Sequence, residues 1–507
     1  MRNERKAGAI LSYASMGATS LVQFLYVPLL FHFLPKEIYG IYQLTGSLIA
    51  YFSVMDFGFS TTIVRYYAKF KAEGDQKSVE NMLAIFSVIY SCITLLLVFL
   101  GAGLYFYIDQ IYAGTLSIYE LNLFKSMYIV VLFNMAISLM SNIFKAVING
   151  EERFIFLRGS TLIPTLLRPV MVILVFLIDV NPLYLVWIDT FCNVIVIAAS
   201  IWYAVYKLHM RIRLYQWNFD FVRQLWGFSF FVFINMIADQ FYWRTGQLVL
   251  GAVSGAAAVA LYAIAMQFVF AYMNFSVGIS GVFLPRLTAL VSLKEKGKQE
   301  INQLFIKIGR IQSYIMALIY SGFILFGKSF ISLWIGSGFE QVYILAVIIM
   351  GALFIPLIQN LGISILQAMN QHAFRAYVFT FMASLNFVCM VPVARVYGII
   401  GCAVLTSICL VIGNVFVVNW YYDQRVGLDI RDFYANIIRI MYPVMIYTMG
   451  VYFLGLGEAA NFIALLWKGI LYIAGYVLVI WKFSFNFYER ALFDKVLNKF
   501  WMTKYTV

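Results

Sequence analysis

Residues 39–75 read YGIYQLTGSLIAYFSVMDFGFSTTIVRYYAKFKAEGD. An apolar run begins at Tyr39, takes in one carboxylate at Asp56, and ends in a cluster of Arg65, Lys69 and Lys71. A run of this length can cross about 30 Å of hydrocarbon as a helix, which takes about 20 residues. A basic cluster at its end is what a membrane surface selects.

The rest of the chain follows this pattern. Of its 507 residues, 63% are hydrophobic and 12% are charged, whereas soluble domains are about 25% charged. One aqueous core cannot absorb that much apolar surface, so lipid must be the solvent and helix the spanning element. Six apolar runs fall between residues 8 and 205, six between 225 and 421, and two between 434 and 481. The reading is an all-α membrane protein of about fourteen transmembrane helices. The N-terminal MRNERK carries the charge of a signal peptide, but the apolar stretch behind it is too long and lacks a small-residue cleavage site. It reads as an uncleaved first span.

Loop charge sets the orientation. With a cytoplasmic N-terminus, the inside loops hold Arg2, Lys77, Lys145, Arg153, Arg158, Arg213, Arg310, Arg375, Arg431 and most other basic residues, while the outer loops hold Lys36, Lys328 and Arg395. That bias predicts an even number of spans with both termini cytoplasmic. The net charge of +13 is thus topological. Nucleic-acid binding would need a compact basic face, and these residues are scattered over short loops.

The chain also resembles itself. Ala50, Tyr51 and Arg65 register at one offset with Ala271, Tyr272 and Arg286, each set followed by a basic loop containing a glycine, Gly74 or Gly297. Six spans separate the copies, which keeps both halves the same way up. The expectation is two six-helix lobes, 1–205 and 225–423, related by a pseudo-two-fold axis along the membrane normal. A basic cytoplasmic linker (206–224) joins them, and 424–507 adds two helices and a basic tail. A cavity between the lobes, opened to either side by rocking, is the expected site.

Charges inside the spans cost about 2.5–3.5 kcal/mol at bilayer centre and usually face a cavity or a partner. Arg168 lies mid-span in STLIPTLLRP, and Thr161, Thr165 and Arg168 share one helical face. Asn235, Asp239 and Tyr242 form one stripe of the seventh span; Gln240, Arg244 and Gln247 form another. Asp239 and Arg244 face a lumen or pair through water or another helix. Asp56 lies about 6 Å to the cytoplasmic side of midspan by helical rise; a proton shuttle, a cation ligand and a neutraliser of a nearby Arg all fit it. Asp189, Lys468 and Lys125 lie toward outer span ends, where lysines snorkel at little cost. In the first span, Ser12, Ser15, Thr19 and Gln23 share a face that lines a cavity or packs helices.

Other chemistry is sparse. Cys92, Cys192, Cys389, Cys402 and Cys409 fall within spans and read as free thiols. His32, His209 and His372 sit at span ends, which gives no zinc site, and a Walker A lysine motif is missing. Neither metal nor cofactor is expected. The longest outer loop, about 107–122, is too short for the extramembrane catalytic site of a polymerase.

The stretches YGIYQLTGSLIAYFSVMDFGF (39–59), DQFYWRTGQLVLG (239–251) and YGIIGCAV (397–404) resemble the bacterial polysaccharide-unit flippases of the Wzx type. Their superfamily also holds multidrug exporters and the lipid II flippase, and the resemblance runs along the whole chain. It implies a non-enzymatic flippase in the bacterial inner membrane. Its substrate would be an undecaprenyl-diphosphate-linked oligosaccharide, moved outward for O-antigen, capsule or exopolysaccharide, with polymerase and glycosyltransferases as possible partners. On that reading Arg168 and Arg244 grip the diphosphate, because guanidinium forks match phosphate oxygens. Asn235, Tyr242, Gln240, Gln247, Thr165 and Gln23 contact sugars, and Asp56, Asp239 and Asp189 serve ion coupling or charge pairing. A cation-coupled multidrug exporter and a membrane polymerase or ligase are the competing readings.

Overall fold

The structure is a computed structural model that describes residues 2–280, 283–291, 293 and 295–491. The tail with Lys495, Lys499 and Lys504, and the loop residue Lys294, lie outside the described residues. The described chain is helical, with no strand among the described residues. The first helices are α1 (Arg2–Phe33), α2 (Lys36–Ser53), α3 (Phe59–Ala72), α4 (Gln76–Tyr112), α5 (Ile118–Gly150), α6 (Phe154–Phe176) and α7 (Leu183–Trp202). Then come α8 (Phe219–Trp243), α9 (Thr245–Ser254), α10 (Ala256–Ser280), α11 (Leu284–Val291), α12 (Glu295–Ile335), α13 (Glu340–Ile358) and α14 (Leu361–Ala368). The last are α15 (His372–Leu410), α16 (Val418–Tyr421), α17 (Ile430–Phe453) and α18 (Phe462–Phe483).

Among the described residues, 10 helices are long and apolar enough to cross a membrane. The runs at 373–394 and 398–421 fall in one stretch, Ala373–Val426, which kinks between them at Gly398, with φ 59° and ψ −145°. The run at 225–251 breaks at Arg244 into α8 and α9. In α17, Arg431, Asp432 and Arg439 dilute the apolar run; in α1 most side chains before Gly17 lie outside the described ones, and Gly17–Phe33 is apolar. The outward faces are apolar, with Leu95, Phe99 and Phe106 on α4 and Ile463, Leu466 and Trp467 on α18 all exposed. Such a surface suits acyl chains, and the helices satisfy their own backbone groups there.

The chain forms two compact units. One comprises the chain up to Ala263 with Ala383–Cys402; the other comprises Ile264–Met382 and the chain from Ala403 onward. The first unit's core includes Phe59, Phe86 and Tyr90, all fully buried. It forms because α2 and α3 are offset by a break at Val54–Gly58, where Phe57 and Gly58 adopt φ 51° and 73°. A side chain at Gly58 would meet the Val232 side chain at 2.5 Å, so this break needs glycine for conformation and for space. In the second unit, Glu489 forms a buried bidentate pair with Arg310 of α12, at 2.7 Å to both Nε and Nη2.

Candidate functional site

The site is built on α6. Thr161, Thr165 and Arg168 repeat at i, i+4 and i+7, so an otherwise apolar helix gains one polar face. Pro164 and Pro169 interrupt the same helix. Each ring removes one backbone donor and so releases the carbonyl four residues earlier, at Ser160 and Thr165. Arg168 sits within about 5 Å of the helix midpoint by helical rise.

Its charge is met by α7. Arg168 Nε lies 2.6 Å from Asp189 Oδ1, and Nη2 donates to Asp189 Oδ2 at 3.2 Å. Tyr42 of α2 donates to the same Oδ2 at 2.7 Å and accepts a hydrogen bond from Arg168. The guanidinium lies over the Tyr26 ring at 4.6 Å and the Tyr42 ring at 5.6 Å. Two aromatic faces and a carboxylate therefore fix its plane. The pair is not sealed, since the Arg168 and Asp189 side chains remain 30% and 28% exposed.

The exposed part opens on a cavity of about 360 Å³. Thr19 and Gln23 of α1, Thr161, Thr165 and Arg168 of α6, and Asp189 of α7 line it. A second cavity of about 500 Å³ adjoins it, with Lys145, Ser160, Thr161 and Val196 lining both. Its further walls include Ser60, Thr61, Asn142, Asn149, Phe154 and Arg158, from α3, α5 and α6. Neither Lys145 nor Arg158 forms an ion pair with a described residue. The two cavities thus expose three cations against one carboxylate, Asp189, which is already engaged. This chemistry suits anions and polyhydroxylated groups.

Asp56 lies one side chain behind the second cavity. It is 8% exposed and accepts from Tyr90 at 2.7 Å, Ser60 at 2.8 Å and Asn142 at 2.9 Å. Its donors are neutral, and two of them, Ser60 and Asn142, face the cavity.

Arg168, Thr165, Gln23 and Asp189, singled out from the sequence, therefore come together. The α8 and α9 residues do not join them, for none of Asn235, Asp239, Gln240, Tyr242, Arg244 and Gln247 lines either cavity. Gln247 is buried and accepts from Ser47 of α2. Tyr242 is buried at 1% exposure, while Asn235 and Asp239 are exposed. Arg244 stands at the α8–α9 break. Ser15 is buried; the Ser12 side chain lies outside the described ones. Lys125 pairs with Asp109 at 2.7 Å, and Lys468 donates to the Glu458 carbonyl.

Sequence reading missed Lys145 and Arg158, which counted only as loop charges. A signal existed: Asn134, Ser138, Asn142, Lys145 and Asn149 run as one stripe along α5. Asn193 of α7 also ties Asn134 to Ser138 from across that stripe.

The described residues form a polytopic helical membrane fold with a cationic, half-open chamber. The fold is similar to the lipid II flippase MurJ in an inward closed conformation, with a TM-score of 0.72, 15% identity, and 94% of this chain and 99% of that chain covered. It is also similar to the Vibrio cholerae MATE transporter VcmN, with a TM-score of 0.55, 14% identity, and coverage of 84% and 98%. In sequence it is 22% identical over 420 residues, 81% of each protein, to the uncharacterized membrane protein EpsK of Bacillus subtilis (strain 168). The polysaccharide biosynthesis protein family matches residues 6–291, and the chain belongs to that family. The family resemblance read from the sequence holds.

Proposed function

We propose that this protein flips an undecaprenyl-diphosphate-linked oligosaccharide from the cytoplasmic to the outer leaflet of the bacterial inner membrane. The observation that carries this reading is the chamber near midspan lined by Arg168 and by Lys145, which forms no ion pair with a described residue. A doubly charged diphosphate entering it gains a guanidinium already oriented by Asp189, Tyr26 and Tyr42, together with the Lys145 ammonium. Charge-assisted hydrogen bonds of this kind are about twice as strong as neutral ones. The prenyl tail stays in lipid. Alternating access between two six-helix lobes, 1–205 and 225–423, completes the cycle, with both termini cytoplasmic. Arg244 is a second diphosphate contact reached at another stage of that cycle, and Asn235, Tyr242, Gln240 and Gln247 meet sugars there.

Outward movement of anionic charge is favoured by an inside-negative potential at about 2.3 kcal/mol per charge per 100 mV. Proton or sodium coupling at Asp56 or Asp239 supplies the remainder. Family membership and the likeness to a lipid II flippase support this reading over export of cationic drugs, which would meet three like charges in the two cavities. The test is translocation in reconstituted vesicles. A fluorescent polyprenyl-diphosphate oligosaccharide should cross at a rate that falls to the protein-free level with Arg168→Gln, while ethidium should not be transported. Ethidium transport without lipid movement would reverse the assignment.

A further inference from the structure

The two cavities share a wall but differ in chemistry. The first contains the Arg168–Asp189 pair, so its cationic charge is partly spent. The second has no carboxylate in its lining; Asp56 reaches it only through Ser60 and Asn142. This cavity is also lined by Arg158, which is exposed and forms no ion pair with a described residue. The lining also carries Asn142 and Asn149 from one face of α5, and Ser60 and Thr61 from the start of α3. Side-chain amides and hydroxyls offer donors and acceptors together, which is what ring hydroxyls require. Phe154, half-buried at the N-terminal end of α6, adds an apolar face for the C–H side of a ring. At about 500 Å³, the volume falls within the range of about 300–1,000 Å³ typical of small-molecule sites.

We propose that this second cavity is a saccharide subsite selective for a sugar bearing a carboxylate. Arg158 receives the carboxylate bidentately, and the amide and hydroxyl wall receives the ring. Lys145 stands at the junction with the diphosphate-binding cavity. The proposal rests on the flippase reading and deepens it, because it names the kind of repeat unit carried: one with an acidic residue near its lipid-linked end.

The experiment uses the full-length protein in detergent and three probes measured by isothermal titration calorimetry. These are the disaccharide glucuronosyl-N-acetylglucosamine, its neutral counterpart glucosyl-N-acetylglucosamine, and farnesyl diphosphate. Wild type should prefer the acidic disaccharide by about tenfold or more, the order expected of one charge-assisted contact. Arg158→Gln should remove that preference and leave farnesyl diphosphate binding unchanged. Arg158→Lys should restore part of the preference, because it returns the charge without the fork. The Arg158 side chain is exposed, and an unchanged melting temperature verifies that each variant is folded. Equal binding of the two disaccharides by wild type, or no binding of either, overturns the proposal. So does an Arg158→Gln variant that loses farnesyl diphosphate, since the phosphate would then occupy this cavity. Wild type that binds the acidic disaccharide but not farnesyl diphosphate would instead defeat the diphosphate reading alone.

Discussion

Replacing Asp189 with Asn should tighten the hold of the chamber on a diphosphate. Asp189 competes with any ligand for Arg168, its Oδ1 lying 2.6 Å from Nε. Two unit charges about 4 Å apart interact by about 4 kcal/mol at an effective dielectric constant of about 20. Both side chains are roughly 30% exposed, so solvent screening reduces this to about 1–2 kcal/mol. Asn keeps the shape and can still accept from Tyr42, so the guanidinium stays oriented while its charge is released. The expected gain in farnesyl diphosphate affinity is about 5- to 30-fold, at 1.4 kcal/mol per tenfold. Calorimetry on the full-length protein in detergent measures it, and the gain should shrink as salt is raised. Adding Arg168→Gln to Asp189→Asn should erase it. Unchanged or weaker binding by a folded Asp189→Asn protein would refute the view that Asp189 and the ligand compete for one guanidinium.

Lys145→Gln should weaken farnesyl diphosphate binding about tenfold, as loss of one charge-assisted contact implies, and should slow lipid translocation in vesicles. Gly40→Ala should destabilise the protein severely, because the added Cβ would lie 1.9 Å from the Ala256 carbonyl oxygen and backbone cannot yield as a side chain does; a fall in melting temperature is the readout. Glu489→Ala strands Arg310 in a buried pocket at 6% exposure, at a cost of about 3–5 kcal/mol, read by thermal unfolding in detergent. Burial alone would raise the Glu489 carboxyl, but hydrogen bonds from Arg310 and the Asn486 amide hold it below its usual 4.5. A lowered acid stabilises fully above its unfolded value and less as pH falls through the folded one, so wild type should lose melting temperature below about pH 4.5, and Glu489→Gln should lose less over the same interval.

The spanning helices were legible because apolar length is a one-dimensional property. The two runs read on either side of Gly398 are separated by a kink there, with φ 59°. What was not legible is that Arg244 splits one apolar run into two helices. The polar face of α6 was legible for the same reason as the spans: Thr161, Thr165 and Arg168 repeat at helical spacing. The partner of Arg168 was not, because its choice of Asp189 depends on how α6 packs against α7. Gln247, a lining residue on polarity alone, is buried in this structure and accepts from Ser47 of α2, and burial leaves no trace in a list of polar positions. Lys145 was hidden by its place near a span end, where a lysine is expected for topological reasons and attracts no further question.

The central claim is that a diphosphate sits in the chamber beside Arg168 and Lys145. A structure of the full-length protein bound to farnesyl diphosphate tests it most directly. Phosphate oxygens within about 3 Å of the Arg168 guanidinium and the Lys145 ammonium are the predicted result. Phosphate density elsewhere, with Arg168 still closed on Asp189 and Tyr42 and the chamber empty of ligand, would contradict the account.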